Sequence, residues 1–308
     1  MNRRDFARNV AVSALGTGSL GKTALAIEPS LPPGQGGASG LSFKLSVMLW
    51  TVFRDLPFEQ RLEKVAEAGY KNVELVGEYH QEKWSEEKFT SVNKKRRELG
   101  INFDTTAGLQ HGVGNPAERH ALLANLRDEL KIMEKIECPA VIVMSGNVVH
   151  GLGREQQHQS CIEGLKRAAE VVEGKTIAGQ PVRLLLENID PEENPKYYLT
   201  SVAEGFKVVQ AVDHPQVQFL YDFFHEQISE GNLIEKLEKN ISSVGLVHIA
   251  DVPGRHEPGT GEINYDNIFK TLARLKYSHY AAMEYLPTYD AVKSLRTERG
   301  KALRAART

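Results

Sequence analysis

Between residues 217 and 249 the chain reads Val217-Gln218-Phe219-Leu220-Tyr221-Asp222, then a helical stretch from Asn232 to Asn240, then Val244-Gly245-Leu246-Val247-His248-Ile249. A short apolar run bounded by polar residues is a strand covered on both faces, and a helix-length segment between two such runs makes a parallel crossover. Working outward from this unit, the alternation fills the body of the chain. The runs are Phe43 to Trp50, Asn72 to Val76, Ile101 to Thr106, Ala140 to Met144, Val182 to Glu187, Val217 to Asp222, Val244 to Ile249 and His279 to Glu284. That makes eight. Between them lie segments of helical period. Phe58, Leu62, Val65 and Ala66 line one face of the first, with Glu59, Arg61, Glu63 and Lys64 opposite. The others are Glu86 to Leu99, Ala117 to Ile136, Glu155 to Ile177, Leu199 to Ala211, Asn232 to Asn240, Asp266 to Lys276 and Asp290 to Ala305, with Gly69, Gly100 and Gly179 placed as helix stops. Eight strand-helix units predict an α/β fold, a single-domain (β/α)₈ TIM barrel over residues 43–308, whereas an open doubly wound sheet usually has fewer strands.

No G-x-G-x-x-G follows the first strand. Gly34-Gln35-Gly36-Gly37 precedes no helix and reads as a spacer, not a phosphate cradle. With 308 residues, 41% of them hydrophobic and 25% charged, the composition is that of an ordinary globular protein, not a disordered or disulfide-stapled one. A formal net charge of -2 with no basic stripe argues against nucleic acid as partner. Cys138 and Cys161 form no CxxC and read as inert thiols, with a single disulfide as the alternative in an exported protein.

The N-terminus carries Arg3-Arg4-Asp5-Phe6, a moderately apolar stretch from Val10 to Leu20, and Ala24-Leu25-Ala26. That order resembles a twin-arginine export signal over residues 1–26, followed by a flexible Pro/Gly-rich linker over 27–42. The expected location is periplasmic or otherwise exported; a chance arginine pair would leave the protein in the cytoplasm. The segment is too interrupted to make a stable membrane span.

In a barrel, chemistry sits at the C-terminal ends of the strands. Strand five ends Leu186-Glu187-Asn188, strand six ends Tyr221-Asp222, strand seven reads Val247-His248-Ile249-Ala250-Asp251 and strand eight ends Met283-Glu284. Glu187, Asp222, His248 and Glu284 therefore converge from four neighbouring strands. Three anions held together repel unless a cation lies between them. One nitrogen and three oxygen donors suit a divalent metal ion, Mg²⁺ or Mn²⁺ first, Co²⁺ or Zn²⁺ as alternatives.

The segment from His248 through Pro253-Gly254-Arg255-His256-Glu257-Pro258-Gly259-Thr260-Gly261-Glu262 to Tyr265 closely resembles the signature of hydroxypyruvate isomerases, in the xylose-isomerase-like superfamily of sugar isomerases and epimerases. Tyr221-Asp222-Phe223-Phe224-His225-Glu226 through Leu233 resembles the same family's strand-six segment, and the likeness runs from Phe43 to about Arg299. The resemblance implies a divalent metal on Glu187, Asp222, His248 and Glu284, with Glu187 and Glu284 as the acid/base pair. One position departs: the bacterial isomerases carry Gln where this chain has His248, and His is usual in the epimerase branch.

Moving a carbonyl between adjacent carbons requires removing a proton beside C=O, so the site must stabilise an enediolate and hold a carboxylate on each face. His225 is placed to reach a substrate oxygen, and Arg255 to clamp a carboxylate or hydroxyl. The glycine-rich loop 257–262 reads as a cover for the mouth, with Glu262 ordering Arg255 or His256 as the alternative. Trp50 is a candidate apolar wall. Glu74 and Asp104 are candidate supporting groups. His111 and His150 read as loop histidines. The expected activity is isomerisation of hydroxypyruvate and tartronate semialdehyde or a related small 2-oxo acid. The alternatives are a ketose 3-epimerase or other sugar isomerase, and a non-enzymatic sugar-binding barrel. Abasic-site endonucleases of this fold need more histidine ligands and a basic groove. The partner is a small molecule; homo-oligomerisation is compatible with the sequence but not specified by it.

Overall fold

Runs such as Leu184-Leu185-Leu186 offer no polar face to water, so they are stable only where both sides are covered. In the computed structural model, which describes residues 41–307, eight such runs form one closed parallel barrel. Its strands are β1 (Lys44–Met48), β2 (Asn72–Leu75), β3 (Asn102–Thr106), β4 (Ala140–Met144), β5 (Arg183–Glu187), β6 (Val217–Asp222), β7 (Val244–Ile249) and β8 (Tyr280–Met283). They pair in chain order and β8 closes on β1 through Lys44↔Tyr280 to Val47↔Met283. The export-signal reading of 1–26 lies outside the described residues, as does the 27–42 linker apart from its last two residues.

Side chains alternate with the strand period of two. Met48, Ala140, Ile142, Leu185, Leu220, Leu246, Tyr280 and Ala282 pack inside the barrel. Val47, Val73, Phe103, Val143, Leu184, Leu186, Phe219 and Val247 belong to the larger core shared with the helices. Those helices include α1 (Phe58–Glu67), α2 (Glu86–Leu99), α3 (Arg119–Ile136), α4 (Arg154–Val172), α5 (Val202–Val212), α6 (Leu233–Asn240), α7 (Tyr265–Arg274) and α8 (Ala291–Ala305). The register shifts between Val73 and Glu74 and again between Phe219 and Leu220, and such irregularities re-aim the residues beyond them.

Four readings need correction. The helix expected to reach Ile177 stops at Val172, because Thr176–Ile177 and Gln180–Pro181 pair as a two-residue hairpin. Ala178 and Gly179 turn it with φ of +50° and +75°, so Gly179 serves a hairpin turn, where glycine tolerates the left-handed region, and not a helix stop. Arg61 is not on the wet face of α1: it is buried, donating to the Leu49 carbonyl at 2.6 Å and lying 3.5 Å from Glu78. Strand one is shorter than expected because Leu49–Thr51 forms a 3₁₀ turn that carries Trp50 toward β8. Cys138 and Cys161 are free and buried, and burial pushes the Cys161 thiol up to about 12, so both are inert thiols as expected.

Candidate active site

Each of the four expected donors lies within one residue of the end of an apolar strand, so the barrel presents them on one face without help from flexible loops. Glu187 closes β5, Asp222 closes β6, His248 is the next-to-last residue of β7, and Glu284 follows β8. The structure brings all four together: one donor atom from each lies within 4.8 Å of the others, and no residue of the set is more than 6% exposed. His248 Nδ1 lies 2.5 Å from Glu284 Oε2, 3.5 Å from Glu187 Oε1 and 3.7 Å from Asp222 Oδ2.

Two atoms test whether these residues fit a metal. His248 Nδ1 and Glu284 Oε2 are buried and close, yet neither has a partner aligned as a hydrogen bond requires. Glu284 Oε2 has the Arg255 guanidinium at 2.8 Å, but a His248 lone pair left unmatched in a dry site costs free energy unless it too meets a cation. The opposite ring nitrogen, Nε2, is 3.0 Å from Glu74 Oε2, and Glu74 is fully buried on β2. A carboxylate there accepts a hydrogen bond from Nε2–H and leaves the Nδ1 lone pair facing the cluster, the arrangement that orients metal-binding histidines. Glu74 thus supports His248 as the strand-end reading anticipated, whereas Asp104 is buried without a hydrogen bond to any of the four.

Arg255 enters from the loop after β7. It lies between the rings of Trp50 and Phe224, with Cζ 5.3 and 4.8 Å from their centroids. Its Nη2 is 2.8 Å from Glu284 Oε2 and 3.3 Å from Asp222 Oδ2, and Nη1 donates to Glu193 at 2.8 Å. The residue holds a left-handed φ of +57°, a conformation that costs a non-glycine residue roughly 1 kcal/mol and persists where the surroundings dictate it. Trp50 is more than an apolar wall, since its Nε1 donates to Glu284 Oε1 at 2.7 Å. His225 follows Asp222 by three residues; its Nε2 lies 3.5 Å from Asp222 Oδ2 and its Nδ1 2.6 Å from Asp190 Oδ2.

Charge sets the protonation here. Burial pushes the Glu187 carboxyl up, more than the His248 imidazole lowers it. Burial also raises Glu284, but Arg255 and His248 outweigh it and leave that carboxyl below the usual range. Burial disfavours the imidazolium of His225, yet Asp222 and the hydrogen bond to Asp190 overcome this and raise its pKa to about 9.

The 251–263 loop is tied down from within. Asp251 accepts the N–H groups of Val252, Gly259, Gly261 and Ile263 at 2.7–3.0 Å, and Glu257 accepts from Thr288 and Ser294. The loop expected to cover the mouth is thus braced from within. Glu262 meets Gln227 at 3.0 Å, and not Arg255 or His256. His111 faces Glu118 at 3.2 Å, and His150 lines a separate cleft of about 500 Å³ with Met144, Asn147 and Tyr197. Sequence reading missed Asp190, Glu193 and Phe224. The available signal was position: Asp190 and Glu193 lie directly after strand five, at the same rim as Glu187.

A (β/α)₈ barrel that gathers three carboxylates and an imidazole at its catalytic rim defines the class, and the chain belongs to the xylose isomerase-like TIM barrel family, whose model matches residues 62–305. It is 32% identical over 260 residues to the 2-oxo-tetronate isomerase of Haemophilus influenzae, covering 82% of this chain and 96% of that protein. It is 28% identical to the hydroxypyruvate isomerase of Escherichia coli, covering 82% of this chain and 97% of the relative. Among solved structures, one described as an AP endonuclease, family 2, from Brucella melitensis superposes with a TM-score of 0.72 at 25% identity, over 82% of this chain and 96% of that one. A D-psicose 3-epimerase from Clostridium cellulolyticum shares the fold at a TM-score of 0.70 and 21% identity, over 86% and 98% of the two chains. Among the described residues no helix is long and apolar enough to cross a membrane.

Proposed function

We propose that the protein, an isomerase of the aldose-ketose type, interconverts hydroxypyruvate and tartronate semialdehyde, or carries out the same carbonyl shift on a closely related small 2-oxo acid, at the Glu187–Asp222–His248–Glu284 cluster. The observation that carries this reading is a pair of buried glutamates flanking one imidazole, with a buried guanidinium against one of them. A divalent ion held by the four donors, with Mg²⁺ or Mn²⁺ favoured by three oxygens to one nitrogen, would act as a Lewis acid toward the substrate carbonyl. Glu187 and Glu284 stand on either side of His248, so one takes the proton from carbon and the other returns a proton to its neighbour. His225 Nε2 faces the cluster and offers a hydrogen bond to a substrate oxygen. Arg255, buried and flanked by rings, meets the substrate carboxylate. The names of the relatives support a small 2-oxo acid as substrate.

The second reading, ketose 3-epimerisation, uses the same glutamate pair on a neutral sugar and is favoured by His248 at the metal position. It also fits the twin-arginine-like terminus, since an exported enzyme would meet extracytoplasmic sugars. Arg255 separates the two. Arg255→Ala should cost about 2 to 5 kcal/mol in kcat/KM for hydroxypyruvate, as when one partner of a buried charge pair is truncated. A neutral ketose loses one hydrogen bond, about 1 kcal/mol. Equal losses on acid and sugar would remove the 2-oxo acid assignment.

A further inference from the structure

Directly after β5 the chain makes a tight turn, Asp190-Pro191-Glu192-Glu193, whose first residue is fully buried although the next three are exposed. A buried aspartate at the start of an exposed turn needs partners for both oxygens. It has them, on two separate elements. Oδ1 accepts the backbone N–H of Glu192 at 2.8 Å and of Glu193 at 2.9 Å. Oδ2 lies 2.6 Å from His225 Nδ1, on the short helix Phe223–Ser229 after β6. We infer that Asp190 is a positioning residue that holds both substrate-side arms of the site: His225 through one oxygen, and the Glu193–Arg255 pair through the other.

The hydrogen bonds fix more than place. An ionised carboxylate only accepts, so the Nδ1 of His225 carries the proton, and the 3.4 Å approach of the Asp190 N–H to the same nitrogen is not a hydrogen bond. Nε2 then faces the four-donor cluster, 3.5 Å from Asp222 Oδ2. On the other arm, the turn capped by Oδ1 delivers Glu193 to Arg255 Nη1 at 2.8 Å, which helps hold the guanidinium between Trp50 and Phe224. Asp222 also meets both arms, accepting from the His225 backbone N–H and from Arg255 Nη2, each at 3.3 Å, but it belongs to the four-donor cluster itself, whereas Asp190 stands outside that cluster. The functional part of this inference rests on the isomerase reading; the hydrogen-bond part does not.

An isosteric change separates the arms. In Asp190→Asn the two backbone N–H groups keep the amide oxygen on the Oδ1 side, so the amide NH₂ faces His225 and can only donate to it. Nδ1 is forced to accept and gives up its proton, so the ring keeps Nε2–H alone. The turn and the Glu193–Arg255 pair survive. Asp190→Ala loses both arms. The experiment is ¹⁵N NMR of histidine-labelled full-length protein, with His225 assigned by its absence in His225→Gln, alongside steady-state kinetics on hydroxypyruvate. The expected result is a hydrogen-bonded Nδ1–H in the wild type that is lost in Asp190→Asn, which keeps Nε2–H alone and whose kcat falls about 10- to 100-fold at nearly constant KM. Asp190→Ala should lose kcat and raise KM together. An unchanged Nδ1–H signal in Asp190→Asn, or loss of Nδ1–H with kcat within threefold of wild type, would overturn the proposal. Should the wild type turn over no 2-oxo acid, the isomerase reading fails, and the NMR comparison still decides whether Asp190 holds the His225 Nδ1 proton.

Discussion

Glu187 and Glu284 differ in what holds them, although both end barrel strands. Glu284 is met by Trp50, Arg255 and His248, whereas Glu187 has His248 at 3.5 Å and burial as its main influence. Glu187→Gln and Glu284→Gln each remove a proton-transfer group without changing volume, and each should lower kcat by about 10² to 10⁴ while circular dichroism and melting stay near wild type. Near-normal turnover in either, with metal still bound, would reject the role. At this scale the four donors were legible because a carboxylate or imidazole ending an apolar strand leaves few other readings in a barrel. Asp190 and Glu193 were not, since a loop residue's reach depends on how the chain turns back after the strand. Arg61 shows the opposite error: a charge placed on a helix's polar side by periodicity is buried, donating to the Leu49 carbonyl in the 3₁₀ turn after strand one.

Among the elements, the short helix Phe223–Ser229 joins the site to the outer ring. Asp222 caps it by accepting from Phe224 N at 2.7 Å, and the same residue is one of the four donors, so helix start and site share one carboxylate. Further along, Glu226 is fully buried, accepts from Val202 N at the start of α5 and pairs with Lys236 of α6. Burial raises its pKa from 4.5 to about 7 despite Lys236. The folded state therefore keeps this proton to higher pH than the unfolded chain does. The stability so gained is fully present below pH 4.5 and is lost as pH rises through 7. Glu226→Gln should remove that loss: its stability relative to wild type should climb between pH 4.5 and 7, by at most about 3 kcal/mol, then level off. Chemical denaturation of both proteins across this range checks it, and a difference independent of pH would contradict it. Helix α4 ended early for a reason periodicity does not carry: Ala178 and Gly179 turn a hairpin whose pairing outweighs continued helix.

For the molecule as a whole, the barrel was legible because eight apolar runs separated by amphipathic segments admit one closed parallel sheet, and β8 pairs with β1 to complete it. The N-terminal export proposal has its own test. A reporter fused to residues 1–40 should cross the inner membrane, and Arg3→Lys with Arg4→Lys should stop it; a reporter retained in the cytoplasm would reject the signal. The central claim is that one ion on Glu187, Asp222, His248 and Glu284 makes this barrel an isomerase of small 2-oxo acids. It is tested most directly by following the interconversion of hydroxypyruvate and tartronate semialdehyde by ¹H NMR, with chelator-stripped and Mn²⁺- or Mg²⁺-reloaded full-length protein. The account predicts no turnover in the stripped protein and full recovery on reloading, with Asp222→Asn failing to recover at the same metal concentration. Turnover that survives stripping, or a reloaded wild type that converts neither hydroxypyruvate nor a 2-oxo-tetronate, would contradict it.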